Sequence, residues 1–194
     1  MVRTQSQAAI AADARSGSSE PNLLVTGPGP GSGLHGFVQS SVASALLARQ
    51  PVRILDCDRN YLHFGRLMGA TIWRLQSTPR GNAAFTREPS SSGHARRLQL
   101  YDFGADGATW AQPLPSLKTA EARVPGLLVV ENLAAMTERL PTLEELVARH
   151  LRMGGRCCLV DRAEAAFEPY REVCAPYDLK TFDAITSAVP GQQP

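Results

Sequence analysis

Short apolar runs recur along this chain, separated by stretches of helical periodicity, and this alternation restricts the available folds more than any other feature. The runs lie at 22–26, Val52–Asp56, Thr71–Leu75, Arg97–Phe103, Leu127–Val130 and Arg156–Val160. Between the first two, Val38, Val42, Ala45 and Leu46 recur at helical spacing over 36–48. Tyr61–Met68 predicts a short helix closed by Gly69. Thr142 with Glu145 three residues on reads as a capping box, ahead of an apolar stripe of Leu143, Leu146, Val147 and Leu151. Glu164–Cys174 predicts one more helix, and the chain after Pro176 offers no further element. Continuous apolar strands need cover on both faces, so the pattern predicts an α/β three-layer sandwich, a mostly parallel sheet with helices on both sides.

The chain has 194 residues, long enough for one domain with a sizeable core. Residues 1–20, rich in Ala, Ser, Gln and Arg, read as a flexible N-terminal tail, 21–188 as a single domain and 189–194 as a C-terminal tail. Residues 76–96 are dominated by Ser, Thr, Pro, Gly and Arg and read as a long mobile loop. Arg80, Arg87, Arg96 and Arg97 make that region locally basic, although a net charge of +2 gives no dominant nucleic-acid footprint. No apolar run approaches membrane-spanning length and the N-terminus lacks a signal-peptide core, so no membrane insertion and a cytoplasmic or nuclear location are expected. Cys57, Cys157, Cys158 and Cys174 include no CxxC pair. Neighbours on a strand point to opposite faces, so Cys157 and Cys158 are expected to serve as separate buried thiols.

The first strand empties into Gly27-Pro28-Gly29-Pro30-Gly31-Ser32-Gly33, and a helical pattern follows at once. Backbone N–H groups at such a junction are suited to cradle phosphate. Gly27, Gly29, Gly31 and Gly33 are therefore candidate nucleotide-binding residues, with Asp56 and Glu131 as acidic partners. The loop departs from a working phosphate loop in two ways. Gly27 to Gly33 is one residue too long, and Leu34 and His35 stand where lysine and a hydroxyl residue are required. Gly31-Ser32-Gly33-Leu34-His35-Gly36 also fits the dinucleotide fingerprint, with Asp56 twenty residues beyond Gly36 to hold a ribose. A third reading needs no ligand: the glycines and prolines make a tight strand-to-helix connection.

Asp56, Asp58, Glu131 and Asp161 all follow apolar strands and approach one sheet edge, where open α/β sheets bind ligands. Glu131 is placed to activate water, but Val130 occupies the position of the usual metal-binding acid. His35 begins the first helix as a phosphate contact or a polar neighbour of its cap. His63 and His150 read as solvated or hydrogen-bonded helix residues, and no His or Cys pair has metal-ligand spacing.

From 22 to 162 the order of elements resembles a RecA-type P-loop ATPase core with a degenerate phosphate loop. Leu23–Gly33 stands for the first strand and loop, Val52–Asp58 for the second strand with its acidic end, and Leu127–Leu133 for the strand carrying the catalytic acid. Tyr61–Gly69 together with Leu127–Leu133 is similar to small non-hydrolysing paralogues, the RecA-like subunits of the Elongator accessory ring and the small partners of RecA-type recombinases. That resemblance implies a non-catalytic subunit that assembles with related chains in a complex acting on nucleic acid, in tRNA modification or recombinational repair, with no cofactor of its own. Ile54–Arg59 and Leu67–Leu75 also look like the second-strand region of conjugative-transfer ATPases, which implies nucleotide binding with ATP and magnesium. A dinucleotide-binding protein taking NAD(P) is the remaining alternative.

Overall fold

A computed structural model describes residues 21–27, 33–77, 83–88, 97–104, 109–110, 112, 114 and 126–183. The strands are β1 (Asn22–Thr26), β2 (Val52–Asp56), β3 (Thr71–Ser77), β4 (Ala83–Arg87), β5 (Leu98–Asp102), β6 (Leu127–Glu131), β7 (Arg156–Asp161) and β8 (Leu179–Asp183). The helices are α1 (Leu34–Leu47), α2 (Leu62–Leu67), α3 (Leu133–Arg139), α4 (Leu143–Arg152) and α5 (Glu168–Cys174), the last preceded by a 3-10 turn over Glu164–Phe167. One eight-stranded sheet runs β4-β3-β5-β2-β6-β7-β1-β8, and every neighbouring pair except β3–β4 is parallel.

Alternation along the strands divides the core in two. Leu24, Leu55, Tyr101, Leu128, Val130, Cys157 and Leu159 pack with Leu133, Met136, Leu143, Val147, Leu151 and Tyr170, from α3, α4 and α5. Val25, Ile54, Leu98, Leu100, Val129, Cys158 and Val160 pack with Leu34, Val38, Val42 and Ala45 of α1, and with Tyr61. The protein is thus α/β with a mostly parallel sheet covered on both faces. No described helix is long and apolar enough to cross a membrane. Cys157 and Cys158 fall in different cores, and all four cysteines are free and buried.

Several boundaries differ from expectation, each for a local reason. The segment 76–96 is not wholly a loop. Ala83–Arg87 forms β4, antiparallel to β3, because Phe85 meets Tyr101, Phe103 and Trp110 edge-on at 5.6, 5.3 and 5.0 Å. The capping box at Thr142 does not form. Its φ and ψ of −91° and 13° lie outside the extended region a cap requires, and Leu143 N–H instead bonds Leu140 O at 2.8 Å. The helix expected over Glu164–Cys174 is divided into the 3-10 turn and α5, with Pro169 in the first turn of α5. Two elements carry no signal in the local sequence pattern. α3 starts from Asn132, and β8 lies at the sheet edge beside β1, anchored by Phe182 stacked on Phe37 at 4.3 Å.

Close approach is tightest at two glycines. A Cβ at Gly126 would lie 2.0 Å from Pro51 O, and one at Gly155 would lie 2.3 Å from His150 Nε2. His150 is not solvated. It is buried, with Nε2 shared between Gly126 O at 2.9 Å and Arg156 O at 3.1 Å.

Candidate functional site at the carboxyl edge of the sheet

The carboxyl ends of the parallel strands are lined with acids: Asp56 on β2, Asp102 on β5, Glu131 on β6, Asp161 on β7 and Asp183 on β8. Here also the connections part. β1 and β2 lead into helices on one face, whereas β6 and β7 lead into helices on the other. Crevices between such strands are where open α/β sheets take ligands.

Three of these acids perform the same local task. Asp56 Oδ1 accepts the N–H of Asp58 at 3.1 Å, Asp102 Oδ1 that of Gly104 at 2.9 Å, and Asp161 Oδ1 that of Ala163 at 2.9 Å. Each carboxylate bonds the backbone two residues on and turns the chain out of the sheet. Asp161 also accepts Ala134 N–H at 2.9 Å, joining the end of β7 to the start of α3. Asp56 goes further, taking Asn60 N–H at 3.2 Å on Oδ1 and Tyr61 N–H at 2.9 Å on Oδ2. It is fully buried and binds the loop before α2. Asp58 is tied to Asn132 Nδ2 at 2.9 Å. Asp183 accepts the Thr26 hydroxyl.

Glu131 behaves differently. The turn after β6 is made by Asn132, in left-handed conformation at φ 51°, whose side chain receives Ala135 N–H. The Glu131 carboxyl therefore takes no part in the turn. Oε1 accepts Asn60 Nδ2 at 2.6 Å and lies 3.4 Å from His35 Nδ1, which is itself 3.3 Å from the Tyr61 hydroxyl. The residue is only 4% exposed, and as a carboxylate its Oε2 would have no donor. Burial, and then the negative Asp56 beside it, push its pKa up to about 8. Asp56 and Glu131 are neighbouring buried carboxyls, and two negative charges so close in a poorly solvated site favour one proton on the pair. A proton on Glu131 removes the repulsion between the two groups. Asp56 is also raised by burial, but its three backbone N–H bonds oppose that shift.

The glycine loop is described at its two ends. Gly27 is buried at the end of β1, and Gly33, with φ 76°, leads into α1 in a left-handed conformation that glycine adopts without penalty. Gly29 and Gly31 lie outside the described residues. Leu34, in the lysine position, is 5% exposed and part of the α1 core. His35 joins this helix start to Glu131, so candidates far apart in sequence meet through Asn60 and Tyr61, two residues that no motif marks. Their one sequence signal is position, directly after an acid-ended strand. Among the described residues, no three His, Cys, Asp or Glu side chains are grouped to hold a metal ion.

No model of a known protein family matches the chain, and no curated protein matches it significantly.

Proposed function

We propose that this chain is a RecA-like subunit that does not hydrolyse nucleotide and works by assembling with related subunits in a complex acting on nucleic acid. The observation that carries this reading is the burial of Glu131, which is 4% exposed with Oε1 held by Asn60. A general base must be free to take a proton from water. Burial and the neighbouring Asp56 raise Glu131 to about 8, which favours a proton already in place at neutral pH, and Asn60 and His35 lie against its Oε1. Asp56 spends both oxygens on backbone N–H groups, so the pair is poorly suited to magnesium. Leu34 adds no positive charge for phosphate.

The same facts weigh against the two alternatives. An ATPase at this edge would need the carboxylates that the fold has committed elsewhere. A dinucleotide site would need Asp56 open to a ribose, whereas it is wholly buried. Assembly with related chains follows from the RecA-like resemblance and the loss of the lysine.

The test is a turnover assay with ATP and magnesium on the purified chain, paired with affinity purification from its own cells. No turnover above buffer and recovery of RecA-like partners are expected. Magnesium-dependent hydrolysis that falls in Glu131→Gln would overturn the reading, as would a chain recovered without partners.

A further inference from the structure

Four large apolar side chains stand well exposed among the described residues, and three of them share one edge of the molecule. Leu47 ends α1 at 85% exposure, and Leu67 and Met68 close α2 at 73% and 40%. Both helices lie over the same face of the sheet, and each leads back to the start of a parallel strand. All three side chains are thus placed at the amino edge.

The outer side of α1 is unusual for a surface helix. Leu34, Val38, Val42 and Ala45 face the core, and Gly36, Ser40, Ala43 and Leu47 form the opposite stripe. Leu34–Leu47 contains no Asp, Glu, Lys or Arg, whereas α4 turns Glu144, Glu145, Arg149 and Arg152 to solvent. The Ser40 hydroxyl is bonded back to Gly36 O at 2.8 Å, so it presents little polarity outward. Gly36 is not required by the fold of its own chain. Its φ is not positive, and outside its own helix a Cβ there would meet no described atom within 4 Å. Glycine still costs a helix more than alanine does, so nothing within one molecule accounts for the recess it leaves.

We propose that α1 pairs antiparallel with α1 of a second copy of this chain, Leu47 of each seated in the recess at Gly36 of the other. The spacing suits a two-fold arrangement. With Leu47 set opposite Gly36, Ser40 falls opposite Ala43, so bulk meets recess at both ends and small residues meet at the crossing. Small residues there let the axes approach to about 8 Å. Two-fold pairing brings identical surfaces together, which a charged stripe of one sign would oppose and a neutral one permits. Arg49, the first charged residue beyond the stripe, lies past the helix end and so far from its own counterpart. The helix is about 21 Å long, and its stripe alone falls short of the roughly 800 Å² per partner of a stable dimer. Leu67 and Met68 are placed to extend the contact, and the dimer is a reversible one. This goes beyond the preceding reading, because it names both partner and surface and needs no kinship with RecA-like chains.

The test is sedimentation velocity of the full chain over a concentration series, with circular dichroism to confirm that each variant is folded. The wild type should pass from monomer to dimer as concentration rises. Leu47→Glu and Gly36→Leu place charge or bulk at the contact, and each should raise the dissociation constant at least about tenfold. Gly36→Leu combined with Leu47→Ala moves the bulk to the other end of the stripe and should restore pairing. A wild type that stays monomeric throughout would overturn the pairing, while recovery of related partners from cells would still support the assembly reading. A dimer indifferent to both single variants would place the contact elsewhere and equally overturn it. A double variant that remains monomeric would overturn the seating of Leu47 at Gly36.

Discussion

Replacing Glu131 with Gln should change how stability depends on pH, and the sign follows from the burial of the carboxyl pair. In the folded chain Glu131 titrates near 8 against an ordinary 4.5, so between those values the native state holds a proton that the unfolded state has released. Stability then falls as pH rises through that window, by up to about 1.4 kcal/mol per pH unit, and levels off above it. The amide of the Glu131→Gln variant cannot ionise, yet it can still accept from Asn60. The difference between variant and wild type should therefore grow with pH, reaching about 2 to 5 kcal/mol in favour of the variant by pH 9. Urea denaturation of both proteins from pH 5 to pH 9 measures it. Parallel profiles would refute the argument, because they would mean that Glu131 is ionised in the native state and that its Oε2 finds a donor. A variant less stable at every pH would refute it too, since the charge would then be the stabilising form.

Two further expectations concern the opposite edge of the sheet. Gly155→Ala should cost about 1 to 3 kcal/mol in urea denaturation, because its Cβ would fall on the His150 ring at Nε2, which must leave Gly126 O and Arg156 O. Burial holds His150 below its ordinary 6.5, so the unfolded chain takes up a proton that the folded chain refuses. Stability should drop as pH falls below about 6.5, and His150→Asn should flatten that limb.

The layered fold is legible in the sequence because burial on both faces leaves an unambiguous mark. Val52–Asp56 and Leu127–Glu131 are buried at every position, and their apolar runs locate both strands to within a residue. The sheet edges are not legible in this way. β4 and β8 are half exposed, and each is held by a ring packed on a distant residue, Phe85 on Tyr101 and Phe182 on Phe37. No local window contains those partners. The site is legible in part. Strand-end acids can be marked, but an acid that turns the chain and an acid left free look alike in sequence. Asp56 and Glu131 are told apart by the residues that succeed them. Asp58, Asn60 and Tyr61 offer N–H groups to Asp56, whereas Asn132 adopts the left-handed turn itself and frees Glu131 from that duty.

The division of the cysteines between the two cores has a consequence of its own. Cys57 and Cys157 lie under α3, α4 and α5, and Cys174, on α5 itself, packs in the same core, whereas Cys158 is the one described thiol beneath α1. Burial pushes Cys57 and Cys158 up to about 12, so neither reacts as a thiolate until its layer lifts from the sheet. Alkylation followed residue by residue under native conditions therefore times the opening of each helical layer separately. Two adjacent residues on one strand, Cys157 and Cys158, become clocks for opposite sides of the same sheet.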